Sequence, residues 1–283
     1  MSWWGESVCI EGAYDRAVRA KLTVVGSVNL DLVARLERFP RAGETLSASS
    51  FERIPGGKGA NQAVAAARLG AEVRFVGCVG RDAAAAEALV NLRGLELDVR
   101  EVDVATGLAL IFVDEAGENQ IVVVPGANAE VEARSVSGSV LCQLEVPDGA
   151  IAQARAGADW LCVNAAPARP FEVDADLVVA NRYELDLIGA QRGLVALTLG
   201  AQGAVLLEDG NEIARAPAPK VNAVDGTAAG DAFAAALVVS LLEGRERAEA
   251  LRRACAAGAI AASRRGAQPS LPTAAEVDAI LRR

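Results

Sequence analysis

GANQAVAAARLGAEVRFVGCVGRDAAAAEALVNLRG, residues 59–94, is the stretch whose reading decides the fold. GANQAVAAARLG (59–70) reads as an alanine-rich helix that stops at Gly70, a residue suited to the C′ position after a helix. VRFVGCVG (73–80) is an apolar run of strand length, and AAAAEALVNLRG (83–94) reads as a second helix closed by Gly94. The alternation continues outward. LTVVG (22–26), SVLCQLE (139–145), DWLCVNA (159–165), DLVVAN (176–181) and LVALTLG (194–200) read as strands. GAVLLED (203–209) reads as an antiparallel or edge strand, and AFAAALVVSLLEG (232–244) and RRACAAGAIAASRRG (252–266) as late helices. Strands and helices in this order predict an α/β domain with a mostly parallel central sheet.

Two stretches break the pattern. LVARLERFPRAGETLSASSFERIPGG (32–57) offers short strands and turns, and TGLALIFVDEAGENQIVVVPGAN (106–128) reads as a hairpin turning at Gly117. Together they predict a small sheet standing off the main domain. Beside a cleft it would serve as a lid; elsewhere it would be an ordinary edge extension.

Composition narrows the function. With 283 residues, 52% hydrophobic and 23% charged, the chain can bury a large core. A net charge of -9 argues against a general nucleic-acid binder but leaves room for phosphate held by backbone N–H groups. There is no histidine, so chemistry falls to carboxylates, lysines and backbone dipoles. The five cysteines (Cys9, Cys78, Cys142, Cys162, Cys255) have no metal-ligand spacing and read as reduced thiols of a cytoplasmic protein. The first residues, MSWWGESVCIEGAYDRAVRA, do not read as a signal peptide, and no stretch has the length of a membrane span.

Three segments carry candidate chemistry. In GSVNLD (26–31), Asn29 and Asp31 would share one side of an extended chain and could grip adjacent hydroxyls, or simply end a strand. In PGGKGANQ (55–62), Gly56, Gly57 and Gly59 permit close backbone approach around Lys58, and Asn61 falls in the first turn of a helix starting near residue 60; a glycine-rich turn with a solvent lysine is the alternative. In GTAAGD (226–231), Ala228, Ala229 and Gly230 clear space for backbone N–H groups at a helix start, where Thr227 or Asp225 can cap. Asp231 would stand beside that anion hole as a general base, or be no more than a structural acid in a capped helix.

GGKGANQAVAAARLGA (56–71) with VDGTAAGDAF (224–233) resembles the two signatures of the PfkB carbohydrate kinase family, most of all its ribokinase branch. GSVNLD, the 106–128 hairpin, LTLGAQGA (197–204) and RRGAQPS (264–270) extend the resemblance in order over nearly the whole chain. It implies a three-layer ribokinase-like domain over residues 22–283, with a lid from about 32–57 and 106–128 and an N-terminal extension, 1–21, of no assigned role. It implies transfer of the ATP γ-phosphoryl group to the 5-hydroxyl of D-ribose, with homodimers formed through the lid. By the same resemblance Asn29, Asp31, Gly57, Lys58, Asn61 and Glu145 would hold the sugar, Asp231 would be the base, and Ala228, Ala229 and Gly230 the anion hole. Asn181, the turn carrying Thr198, Gly200 and Gly203, Gly230 and Cys255 would meet ATP. Glu184, in NRYE (181–184), would organise Mg²⁺ through water. Asp225, Thr227, Ala261, Arg264, Gly266 and Ser270 would hold K⁺, several through backbone carbonyls.

Two departures from the family pattern stand out. LDLIGAQRGLVAL (185–197) is shorter than usual before the ATP turn, and Gly226 replaces a threonine-like position. A family member acting on another sugar or a nucleoside, and a non-catalytic sugar-binding protein of the same fold, are the competing readings. Aromatic residues make up only 4%, which leaves few groups to stack on a nucleobase.

Overall fold

The computed structural model describes residues 19–189 and 191–282, so most of the N-terminal extension lies outside the described residues. In chain order the elements are β1 (Lys21–Val25), β2 (Asn29–Arg35), β3 (Ser50–Gly56), α1 (Lys58–Arg68), β4 (Glu72–Gly80), α2 (Ala83–Ala88), β5 (Glu96–Val102), β6 (Gly107–Val113) and β7 (Asn119–Val124). They continue as β8 (Gly138–Gln143), α3 (Asp148–Gly157), β9 (Ala158–Asn164), β10 (Leu177–Asn181), α4 (Arg182–Ile188), β11 (Leu194–Thr198), β12 (Ala204–Glu208), β13 (Asn211–Ala216), α5 (Ala229–Leu242), α6 (Arg247–Ala262) and α7 (Ala274–Leu281).

The central sheet runs β13-β12-β11-β10-β9-β8-β1-β4-β5. All its pairings are parallel except those of β12 with β11 and β13. Parallel strands need cover on both faces, and the side chains divide accordingly. Leu22, Val24, Cys162, Leu177 and Val179 join one core with residues of α1, α2, α5, α6 and α7. Val25, Leu161, Val163, Val178 and Ala180 join a second core with α3 and the partly buried Leu185 and Ile188 of α4. α5 is apolar all round because it is enclosed: Ala232 to Ser240 are all buried.

The expected alternation is present, with two adjustments. α1 starts at Lys58 and closes at Gly70 (φ +102), as read. α2 stops at Ala88, and Val90–Leu92 continues as a 3₁₀ turn before Gly94 (φ +102). GAVLLED is antiparallel but interior, because β13 forms the edge beyond it.

The second sheet has the order β3-β2-β6-β7. β6 and β7 form the expected hairpin, with Gly117 at φ +84, and β6 pairs parallel to β2. A small cluster of Val33, Ala109 and Ile111 holds the sheet together. β7 is its outer strand and is exposed along its whole length. Cys78, Cys142, Cys162 and Cys255 are buried free thiols. Among the described residues no helix is long and apolar enough to cross a membrane.

Candidate active site

β1 leads on to β4 on one side, whereas its other neighbour, β8, leads on to β9 on the opposite side. Open α/β sheets bind ligands in the crevice at the carboxyl ends of strands around such a point. A cavity of about 640 Å³ lies there. Asn29, Asp31, Gly57, Lys58, Asn61, Glu145 and Asp231 line it, and Ala109, Ile111, Ile121 and Val123 of the small sheet form its roof.

Each polar group reaches the cavity for a local reason. β2 is extended, so Asn29 and Asp31 share one side. Asn128 locks Asn29: its Nδ2 donates to Asn29 Oδ1 (2.7 Å), while its own Oδ1 accepts the Val28 N–H (2.9 Å). Gly57 adopts φ +88, and a Cβ there would lie 2.7 Å from the Asn29 nitrogen. A Cβ on Gly59 would come 2.5 Å from the Gly26 backbone, so the chain after β1 and the start of α1 touch directly. Glu145 follows β8 and accepts from Ser27 Oγ and the Lys58 N–H. Arg169 braces this turn, donating to the carbonyls of Leu144 (3.2 Å) and Val146 (2.9 Å).

Asp231 lies in the first turn of α5 and is buried. Its Oδ2 accepts from Asn61 Nδ2 and its Oδ1 from Gln62 Nε2, both at 2.9 Å. Burial raises its pKa and Glu145 adds to this, while Lys58 and the two amide donors oppose it; the net shift is upward. Asp31 is pushed up to about 7 by burial, then by Glu145 and Asp231, with Lys58 opposing. Burial works to lower the Lys58 pKa, but Asp231, Glu145, Glu184 and Asp31 outweigh it and hold the ammonium charged. Among the described residues, Asn61 Oδ1 is buried with no hydrogen-bond partner.

The start of α5 differs from expectation. Neither Thr227 nor Asp225 caps it: Ala228 is the N-cap residue, without a side-chain bond. Asp225 instead folds the preceding loop, accepting from the Thr227 N–H (3.0 Å) and hydroxyl and from the Gly266 N–H (2.9 Å). Burial opposes ionisation of Asp225, yet these bonds bring its pKa below the ordinary value. With no side-chain cap, the first-turn N–H groups remain available to an anion. The Ala229 N–H already closes a turn onto the Gly226 carbonyl (3.1 Å), so Ala228 and Gly230 are the freer donors. Gly226 lacks a positive φ, and a Cβ there would meet nothing within 4 Å.

The other expected residues lie farther along the same edge of the sheet. Asn181 ends β10, directly paired with Thr198 at the end of β11. Asn181 and Glu184 form a reciprocal capping box on α4, and burial raises the Glu184 pKa. Gly200 and Gly203 (φ +58 and +95) shape the turn after β11. Cys255 is buried on α6, with Sγ 3.7 Å from the Ala216 carbonyl. α4 has no fully buried residue, and its Tyr183 is 70% exposed. Around Asp225 the structure gathers Thr227 and Gly266. The Ala261 carbonyl accepts the Arg264 N–H, the Arg264 guanidinium pairs with Glu276, and the Ser270 hydroxyl donates to the Ala267 carbonyl. Ser27, Gln62, Asn128 and Arg169 were not singled out by the sequence. Asn128 ends the PGAN of the hairpin motif, whereas Gln62 looks like any helix residue.

Comparison with known proteins identifies the class. Bacillus subtilis ribokinase is 36% identical over 298 residues, spanning 92% of this chain and 99% of its own. Thermotoga maritima ribokinase superposes with a TM-score of 0.84 at 33% identity, covering 93% of this chain and all of its own. Arabidopsis thaliana ribokinase, solved with ribose and ATP, gives 0.83 at 32%, covering 94% and 99%. The fold and these relatives define a phosphotransferase, specifically a sugar kinase. The model of the pfkB family of carbohydrate kinases matches residues 19–148 and 136–274, and the chain belongs to that family.

Proposed function

We propose that the protein transfers the γ-phosphoryl group of ATP to the 5-hydroxyl of D-ribose, giving D-ribose 5-phosphate. One observation carries this reading: the polar groups expected to hold a sugar and take its proton line a single cavity beside the N-terminus of α5. Asn29, Asp31, Gly57, Lys58, Asn61 and Glu145 bind the sugar; the unpartnered Asn61 Oδ1 is an acceptor for one of its hydroxyls. Asp231 takes the proton of the attacking hydroxyl, help worth roughly 10²–10⁴ in rate. The free N–H groups of Ala228 and Gly230 stabilise the charge that builds on the transferred group, each such donor being worth about 3 kcal/mol, while the Ala229 N–H stays on the Gly226 carbonyl. Among the described residues no aromatic side chain lines the cavity to stack on a nucleobase, which favours a small sugar over a nucleoside.

ATP lies along Asn181, Thr198, Gly200, Gly203 and Gly230, toward Cys255, and supplies the phosphoryl group. Glu184 offers hard oxygen donors suited to water-mediated Mg²⁺, which would neutralise phosphate charge. The oxygens of Asp225 and Thr227, with several backbone carbonyls among Ala261, Arg264, Gly266 and Ser270, would hold a monovalent cation; K⁺ there would steady the loop before α5. Residues 22–283 act as one kinase domain whose small sheet is the lid. The exposed edge and apolar face of β7 pair with a second copy, giving a cytoplasmic homodimer.

ADP release across D-ribose, 2-deoxy-D-ribose, other pentoses, hexoses and nucleosides tests the reading. The highest kcat/KM is expected for D-ribose. A faster hexose or nucleoside reassigns the substrate, and no release with any acceptor favours a binding protein. Equal rates in Na⁺ and K⁺ at fixed ionic strength count against the K⁺ assignment.

A further inference from the structure

We infer that Gln62 is a positioning residue for Asp231, holding that carboxylate ionised and aimed through a chain of amides whose direction is set by a backbone carbonyl of β10. The inference rests on the reading of Asp231 as the base. Gln62 is fully buried in α1 among alanines, where an aliphatic side chain would cost nothing in desolvation. Its polar ends are all engaged. Nε2 donates to Asp231 Oδ1 and to Asn164 Oδ1, each at 2.9 Å, and Oε1 accepts from Gln143 Nε2 (2.7 Å). Asn164 Nδ2 donates to the Val179 carbonyl (3.1 Å).

The direction of this chain follows from its far end. A backbone carbonyl can only accept, so Asn164 turns its NH₂ to Val179 and its oxygen to Gln62. Gln62 must then present its NH₂ to Asn164, and the second hydrogen of that group points to Asp231. Gln143, at the end of β8, holds the opposite side of the Gln62 amide. Asn61 takes the other oxygen of Asp231, so the carboxylate is gripped on both oxygens by neutral donors. The charged groups facing it are Lys58, at the start of α1, which favours the ionised form, and Glu145 after β8 and Asp31 on β2, which oppose it. Donation to the charged form favours it, so loss of the Gln62 donor moves the titration of Asp231 upward and frees one side of its rotamer.

The test is Gln62→Met, similar in length but without a donor, assayed beside Asp231→Asn. ADP release gives kcat, KM for D-ribose and the pH profile of kcat. Gln62→Met is expected to lower kcat by roughly tenfold or more, within the range of general-base help. KM for D-ribose should change little, and the acid limb of the profile should move to higher pH. Asn164→Ala, which releases the orientation of Gln62, should act in the same direction with a smaller effect. A folded Gln62→Met enzyme with unchanged kcat and acid limb, while Asp231→Asn is inactive, overturns the inference and leaves the base reading standing. Turnover retained in Asp231→Asn overturns both. If Gln62→Met fails to fold, Gln62→Glu keeps the size and donates only while its carboxyl is protonated. Its kcat should fall as pH rises through that ionisation, and a wild-type pH profile overturns the inference.

Discussion

The two halves of the cleft are built differently. In the half assigned to the sugar, side chains from β2, α1, the turn after β8 and α5 converge, and several are cross-braced: Asp231 by Asn61 and Gln62, Glu145 by Ser27 and Lys58, Asn29 by Asn128. In the half assigned to the nucleotide, Asn181, Thr198, Gly200 and Gly203 sit on strand ends and turns. Asn181 is exposed and is tied to Glu184 on a seven-residue helix that buries none of its residues. The contrast suits the ligands proposed for each half. A small polyol offers only hydroxyls, so binding it requires donors and acceptors fixed in advance. A nucleotide brings a large charged chain that backbone N–H groups and a helix N-terminus can hold without a side-chain cage.

The contrast can be broken deliberately. Asp231→Asn carries the largest effect: turnover should fall by roughly 10²–10⁴ while calorimetry still detects D-ribose binding. Wild-type turnover in this variant removes Asp231 from the chemistry. A second probe is pH. Asp31 is pushed from 3.8 to about 7, so the native state keeps its proton through a window in which the unfolded chain has lost it. Native stability without ligand should therefore fall as pH rises from about 4 to about 7, by a few kcal/mol at most, since one pKa unit is worth about 1.4 kcal/mol. Urea melts across that range check this, and Asp31→Asn should reduce the slope; an identical slope removes Asp31 as its source.

On the nucleotide side, Asn181→Ala deletes the N-cap of α4, worth about 1 kcal/mol to that helix. KM for ATP should rise several-fold with KM for D-ribose unchanged; a shift in the sugar KM alone would dissolve the distinction between the halves. The smallest effect is expected at Gly226, which needs neither a positive φ nor the space of a missing Cβ. Gly226→Ala should stabilise the protein by about 0.4–1 kcal/mol through the unfolded chain. Destabilisation in thermal melts would mean that the loop needs glycine after all.

The alternating elements were legible because α1, β4 and β9 carry strong apolar patterns set by the layered core. β5 (ELDVREV) was not, since an edge strand largely exposed to solvent carries charge and little apolar signal. α3 was missed for a related reason: DGAIAQARAG buries only Ala150, Ile151 and Ala154, too few to mark a helix in an alanine-rich chain. Asn29, Asp31, Lys58, Asn61 and Asp231 could be picked out because each sits in a short motif with its own local geometry. Gln62, Gln143 and Asn164 could not: Gln62 lies 81 and 102 residues from Gln143 and Asn164, and 169 from Asp231. Only folding joins them. The helix cap was misread because Thr and Asp before a helix usually bond to its N–H groups, whereas here Asp225 is engaged by the loop itself.

β7 has two roles that meet in one strand. Ile121 and Val123 form part of the roof over the cavity, while among the described residues the strand's outer edge is unpaired. If a second molecule closes that edge, dilution loosens the roof of every site at once. The velocity would then rise faster than the first power of enzyme concentration until pairing is complete, and a saturating sugar would itself shift the assembly equilibrium. The kinetic order in enzyme thereby becomes a direct reading of how firmly one strand is held.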